Sequence, residues 1–449
     1  MRFAQMPSLF FFSCFILSKM LKFIPGLKIM NDVIKHKIKH NTQRFITSMK
    51  WIVFSILSGL IIGSIGSAFY GCIKMVTELR MEHLWLLYLL PLGGIVIVGL
   101  YRLLKDENDT GTNLVLSAIH SNEEIPLRMA PLIFISTVIT HLSGGSAGRE
   151  GAALQIGGSI GGALGRLFRF NEKDKHIMIM CGMSAAFTAL FGTPMAAAVF
   201  SIEVVSVGIM HYSALVPCVI SALVAKGTAS YFGIEAETFL LEHLPAFSLK
   251  NAVLTALLAI LGALVSILFC IVLHQTDHLY KKFFPNRYVR IVTGGCIVIA
   301  LTLLCGNRDY NGSGVAIIEH CMNGEAVVPW AFLLKIIFTA ATLGAGYKGG
   351  EIVPSFFIGA TFGYTFGNLI GFSPSLCTAV GMLSVFCGVT NCPITSLLIS
   401  FELFGYAGMP FFLLSTALSY MLSGYYGLYL SQKIIYSKYK TEYINRKTH

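Results

Sequence analysis

The chain repeats itself. Gly182, Met183, Phe187, Pro194 and Glu203 recur as Gly381, Met382, Phe386, Pro393 and Glu402 at a constant offset of 199 residues. Just upstream, Gly148, Gly157, Gly161 and Gly165 recur as Gly350, Gly359, Gly363 and Gly367 at an offset of 202. Self-similarity at a fixed spacing means that each copy is one structural unit. Each copy also carries a G-x-x-x-G-x-x-x-G stripe, the pattern that lets apolar helices approach closely. A single glycine of this kind reads as packing; the duplication ties the set to one architecture used twice.

The solvent of that architecture follows from composition. Of 449 residues, 55% are apolar and 12% charged, and the mean hydropathy is +0.71, which excludes a water-soluble enzyme. Apolar segments recur from Trp51 to Leu430. Some are long (Trp51 to Gly71, Trp85 to Leu104, Ala252 to His274, Met409 to Leu430) and others are too short for a hydrocarbon core of ~30 Å. Short helices broken by Gly and Pro leave backbone ends inside the membrane. Such ends are tolerated where they are buried in protein or line a polar cavity, so they point at a binding site.

The net charge of +11 resides in Lys35 to Arg44, Lys281 to Arg290 and Lys433 to Lys447, beside apolar stretches. That is the positive-inside pattern of cytoplasmic segments rather than a nucleic-acid surface. Residues 233–250, by contrast, carry Glu235, Glu237 and Glu242 and no Lys or Arg before Lys250, which places them outside. The expected order is a basic N-terminal segment (1–50), a first membrane repeat (51–232), an external linker (233–250), a second repeat (251–432) and a basic tail (433–449). Both termini are then cytoplasmic, and the protein is a multi-pass component of the inner or plasma membrane. A first half that runs inward to outward and a second that runs back are inverted repeats, with the substrate near the midplane.

Eleven cysteines lie scattered without a CxxC pair, so neither a metal site nor a disulfide framework is indicated, and no cofactor is expected. No nucleophile and base constellation points to an enzyme. The apolar run Leu9 to Leu17 follows Arg2 without a cleavage site. It reads either as a membrane-surface helix or as sequence ahead of a start at Met30. With only a short basic tail after the last apolar segment, no nucleotide-sensing CBS pair is expected.

Chemistry concentrates in Ser143 to Gly157, where Arg149 and Glu150 stand at the Gly-rich start of an apolar helix. Intramembrane charges are expensive and usually functional. Convergent backbone N–H groups and the positive end of a helix make a seat for a small anion, which a carboxylate on the same turn can itself occupy.

Gly148-Arg149-Glu150-Gly151 resembles the signature at the gating glutamate of the CLC family of chloride channels and halide/proton exchangers. Gly349-Gly350-Glu351-Ile352-Val353-Pro354 resembles its second-half counterpart, and the likeness runs from about Trp51 to Ser437. It implies an all-α polytopic fold of two inverted repeats whose broken helices meet at a midplane anion site. It also implies halide and proton substrates and a homodimer in the bilayer, joined through residues about 193–231 and 393–425. By the same likeness Glu150 is the gate, and Gly148, Arg149, Gly151, Ile352 and Val353 surround the anion. Tyr429 matches the family's central tyrosine, with Tyr425, Tyr426 and Tyr436 as competitors and an interfacial aromatic belt as the alternative.

The departures are informative. The family's first-half Gly-Ser-Gly-Ile-Pro motif is absent, and Gly111-Thr112-Asn113 is the candidate replacement, with Thr112 as hydroxyl donor. Val204 stands where chloride exchangers carry an intracellular proton-transfer glutamate, and Ala152 replaces the signature proline. Glu351 is an extra carboxyl, a pattern that resembles the CLC-F branch of fluoride/proton antiporters. Fluoride is small and strongly hydrated, so its dehydration requires replacement donors, and a protonated carboxyl is one. A pairing of Glu351 with Lys348 is the plainer reading. Glu203 and Glu402 read as a shared structural hydrogen bond or a polar helix end. The rivals to fluoride/proton antiport are chloride/proton exchange, a chloride channel on the same fold, and a cation-coupled solute transporter that uses Glu150 and Glu351 as cation ligands.

Overall fold

Apolar runs punctuated by Pro and Gly fold into helices whose ends are set by that punctuation. The computed structural model describes residues 25–106, 110–121, 123–241 and 244–449, with side chains from residue 36 onward. The Leu9 to Leu17 run and Glu242 lie outside the described residues. The chain divides after Phe54 into an N-terminal unit and a main unit, Ser55–His449. In the N-terminal unit the Lys50 ammonium lies 5.1 Å over the Trp51 ring.

Helix α1 is Pro25–Glu82, and the first half continues with α2 (Leu90–Leu103), α3 (Thr112–His120), α4 (Met129–Leu142), α5 (Glu150–Leu167), α6 (Glu172–Phe191), α7 (Pro194–Glu203) and α8 (Leu215–Tyr231). The second half comprises α9 (Leu249–Phe283), α10 (Arg287–Cys305), α11 (Val315–Met322), α12 (Ala331–Gly344), α13 (Ile352–Ile370), α14 (Pro374–Thr390), α15 (Pro393–Phe404) and α16 (Met409–Leu422). Element for element, the halves correspond. Helix α6 stops at Gly192 and α14 at Asn391, both left-handed, at φ 70° and 59°. Each stop is followed two residues later by the proline that opens the next helix, a preferred first position because proline has no N–H to leave unpaired.

Among the described residues five helices are long and apolar enough to cross a membrane: His36–Glu82, Leu84–Leu103, Tyr212–Tyr231, Leu249–Phe283 and Arg287–Cys305. Helices α4 and α12 have 14 residues each, about 21 Å at 1.5 Å per residue, and end short of a full crossing. The apolar stretch Met409 to Leu430 is not one spanning helix: α16 ends at Leu422, and Gly424, at φ 60°, turns the chain into the loop that carries Tyr429.

The glycine stripes are contact surfaces. A β-carbon at Gly157 would collide with the Gly182 carbonyl, and one at Gly359 with the Gly381 carbonyl. The α5/α6 and α13/α14 pairs therefore approach backbone to backbone at equivalent places, which gives packing as the role of these glycines. Glu203, at the end of α7, accepts from the Ile394 N–H (3.0 Å), the Thr395 N–H (2.8 Å) and the Thr395 hydroxyl (2.6 Å). Glu402, at the end of α15, accepts from Met195 N–H (3.0 Å) and Ala196 N–H (2.9 Å). Each carboxylate caps the other half's helix start, satisfying donors that have no intrahelical partner.

The basic C-terminal segment is folded back rather than trailing. Strands β2 (Lys433–Tyr436) and β3 (Tyr443–Lys447) pair antiparallel, and β1 (Ser206–Val207) joins β2 in parallel. The Thr448 hydroxyl donates to the Tyr429 carbonyl at 2.6 Å and the His449 N–H to the Tyr425 carbonyl at 2.9 Å. The terminus thus fixes the tyrosine loop, an addition that the expected all-α plan lacks.

Candidate functional site

The two Gly-rich loops meet back to back. Gly148 N–H donates to the Gly350 carbonyl at 2.7 Å and Gly350 N–H to the Gly148 carbonyl at 2.8 Å, an antiparallel bridge between the two halves. A β-carbon at Gly350 would lie 2.5 Å from the Gly151 nitrogen, so glycine is required for this approach. The bridge sets the starts of α5 and α13 side by side, and with them the positive ends of both helices.

Glu150 is fully buried. Its Oε2 accepts from the Arg149 backbone N–H at 3.0 Å and from the Val353 N–H at 3.4 Å. The carboxylate therefore sits at the α13 start, held by donors from both halves, in the place where a small anion would find the same groups. Oε1 has no hydrogen-bond partner and lies 3.7 Å from Arg149 Nε. Arg149 makes its shorter ion pair elsewhere, with Glu237 Oε1 at 2.6 Å, and its guanidinium stacks 4.5 Å from the Tyr70 ring centre. A plain Arg149–Glu150 ion pair is thus an incomplete description of either residue.

Around this seat stand the other expected residues. The Thr112 hydroxyl donates to the Gly151 carbonyl at 3.4 Å and accepts from Gln155 Nε2 at 3.3 Å. A β-carbon at Gly151 would lie 3.2 Å from Glu351 Oε2 and 3.4 Å from Thr112 Oγ1, so Thr112, Gly151 and Glu351 line one spot. Glu351 Oε2 is buried without a hydrogen-bond partner, while the Lys348 ammonium lies 4.3 Å over the Tyr101 ring. Ile352 and Val353 are buried in the first turn of α13.

Tyr429 is buried at 2% exposure, its hydroxyl is unpartnered, and Glu351 and Glu150 are within its electrostatic range. It is an interior residue, not part of an interfacial belt. Two of its competitors are placed differently: the Tyr425 hydroxyl bonds Ser437 Oγ at 2.8 Å, and Tyr436 lies on a strand at 47% exposure. The Ser431 N–H donates to Asn113 Oδ1 at 2.9 Å, pinning the tyrosine loop to the start of α3.

Two buried polar residues, Gln155 and Lys335, and one half-buried one, Glu237, were not singled out as site residues from sequence. Gln155, whose Oε1 has no partner, is a polar side chain inside an apolar helix, a signal that is readable on cost alone. Lys335 is fully buried and donates to the Tyr310 and Gly312 carbonyls at 3.1 and 2.7 Å. Glu237 comes from 88 residues away in sequence, and no spacing rule links it to Arg149.

Comparison with known proteins shows the family and the fold. Residues 93–424 match the family model described as voltage gated chloride channel. A chloride/fluoride channel protein of Pseudomonas syringae pv. tomato is 33% identical over 397 residues, 87% of this chain and 88% of that protein. The H(+)/Cl(-) exchange transporter ClcA of Vibrio cholerae is 25% identical over 84% of this chain and 86% of its own length. Among solved structures, a CLC-type fluoride/proton antiporter superposes with TM-score 0.84 at 31% identity, covering 86% of this chain and 98% of that one. A slow cyanobacterial Cl-/H+ antiporter gives TM-score 0.72 at 20% identity over 83% and 94%, a likeness of fold. With a family model spanning well over half the chain and a relative one-third identical along most of its length, this chain is a multi-pass membrane protein of the voltage gated chloride channel, or CLC, family.

Proposed function

We propose that this protein is a fluoride/proton antiporter in which Glu150 is the gate. The observation that carries the reading is the seat of the Glu150 carboxylate, which takes N–H donors from Arg149 and Val353 that a dehydrated anion also needs. Ionised, the side chain blocks the site. Protonated, it loses its claim on the two donors and yields to the anion, so each exchange of occupant moves a proton.

Fluoride rather than chloride is supported by the second carboxyl, Glu351, whose Oε2 is buried without a partner beside Gly151 and Thr112. In its protonated form it supplies the donor that a small, strongly hydrated anion requires. The unpartnered Tyr429 hydroxyl is a neutral donor of the same site, and the Thr112 hydroxyl becomes one when it turns from the Gly151 carbonyl, which it now reaches at 3.4 Å. Support also comes from the relative named a chloride/fluoride channel protein and from the superposition on a CLC-type fluoride/proton antiporter.

The same proposal takes the protein to be a homodimer in the inner or plasma membrane, with both termini cytoplasmic. The basic Lys281 to Arg290 segment supports the orientation, and the exposed apolar Val216 and Leu223 of α8, Ile394 of α15 and Leu413 of α16 support a partner across these three helices. The test is efflux from proteoliposomes followed by fluoride and chloride electrodes and a pH probe together. Fluoride efflux with stoichiometric proton uptake is expected; chloride efflux at a comparable rate, or fluoride without protons, overturns the reading.

A further inference from the structure

Glu237 belongs to the linker between the repeats, yet it is held in place on both sides. Ala236 packs so closely on Gly192, the α6 stop, that a β-carbon there would lie 2.6 Å from the Ala236 Cα. Phe239 N–H donates to the Leu403 carbonyl at 2.7 Å, and its ring lies 5.9 Å from that of Phe404. Between these anchors Glu237 reaches Arg149 at 2.6 Å, while Arg149 Nε stays 3.7 Å from Glu150. A small cavity lined in part by Phe191, Glu237, Phe239, Val353 and Phe356 brings this linker residue and Val353, whose N–H donates to Glu150, to the same space.

One guanidinium is therefore shared by two carboxylates. We propose that Glu237 is a positioning residue for transport: it holds Arg149 and balances its charge, so that Glu150 can leave its seat without leaving a buried cation unpaired. An unpaired buried charge is the costly state. With Glu237 ionised, the departure of Glu150 leaves the Arg149–Glu237 pair intact. Without it, Arg149 turns to Glu150 and holds the carboxylate in the blocking position. This rests on the reading of Glu150 as the gate. The charged and titratable groups facing the cluster are Tyr70 from α1, His141 from α4, Glu351 and Tyr429; of these and Glu237, only Glu237 pairs directly with the Arg149 guanidinium through a carboxylate.

The test uses full-length protein in proteoliposomes, with fluoride efflux and proton uptake recorded across pH. E237Q keeps an oxygen acceptor for Arg149 but removes the charge. It is expected to slow fluoride efflux at neutral pH about tenfold and to move the pH profile about one unit toward acid. The proton-to-fluoride ratio stays unchanged, and E237D, which keeps the charge, restores the wild-type profile. In an E150Q background E237Q is expected to have no pH effect. A slowed E237Q whose profile stays at the wild-type position, or an equal shift in the E150Q background, overturns the proposal. Should E237Q fail to fold, E237A in the two backgrounds carries the same comparison. If E150Q itself retains proton coupling, the gate reading fails instead, and the two failures are thereby distinct.

Discussion

Replacing Glu351 by alanine removes a single group whose contribution can be worked from its surroundings. Oε2 is buried, has no protein partner and lies next to Gly151 and Thr112, so its truncation breaks no hydrogen bond made by that oxygen in the unliganded protein. What is lost is one hydrogen bond to a charged acceptor, about 1.5–3 kcal/mol. At 1.36 kcal/mol per decade that is about a 10- to 150-fold fall in fluoride transport. Chloride holds its hydration shell less tightly, and its flux is expected to change less than about threefold. The assay is paired fluoride and chloride efflux from proteoliposomes at equal protein density. Glu351→Gln, which offers an amide N–H in the same volume, is expected to recover part of the fluoride rate. Equal losses of both halides in Glu351→Ala would refute the assignment of Glu351 to fluoride, and so would a wild-type fluoride rate.

Gly350→Ala places a β-carbon 2.5 Å from the Gly151 nitrogen and 3.0 Å from the Glu150 nitrogen, both backbone atoms that cannot swing aside. Overpacking of this kind costs about 1–3 kcal/mol, so a lowered melting temperature in detergent and fluoride flux reduced at least tenfold are expected; wild-type flux would contradict the back-to-back loops. Glu203→Ala leaves three donors of α15 unpaired, and Glu402→Ala leaves two donors of α7. Each is expected to cost roughly 2–4 kcal/mol in stability, read as a thermal shift, with the proton-to-fluoride ratio preserved. A changed ratio in Glu203→Ala would make that residue a proton carrier rather than a cap.

The parts of this fold that were legible in the sequence are those where two backbones touch. Gly157 against Gly182 and Gly359 against Gly381 tolerate no side chain, so the contact is written into residue identity twice. The Gly148–Gly350 bridge left the same kind of mark. Groups joined by a single side chain from a distant segment left less. Tyr429 could not be separated from Tyr425, Tyr426 and Tyr436 by spacing, because its burial depends on where α16 ends and on a C-terminal strand pair that anchors its loop through Thr448. Thr112 stood in the sequence only as the candidate replacement for an absent motif, because its contact with the Gly151 carbonyl joins two segments 39 residues apart. The Glu203 and Glu402 carboxylates were legible as a symmetric pair, but that each caps the other half's helix depends on how α7 meets α15. The link from Arg149 to Glu237 bridges a first-half loop and the linker by side chains alone, and neither residue's neighbours in sequence announce it.

The central claim is that the Glu150 carboxylate and the transported anion compete for one seat. The most direct measurement compares wild type with Glu150→Gln in proteoliposomes loaded with fluoride and started without a pH gradient. Wild-type protein is expected to draw protons inward against the gradient that develops, in fixed ratio to fluoride leaving. Glu150→Gln is expected to pass fluoride with no accompanying proton movement. Proton uptake that still follows fluoride efflux in Glu150→Gln would contradict the claim.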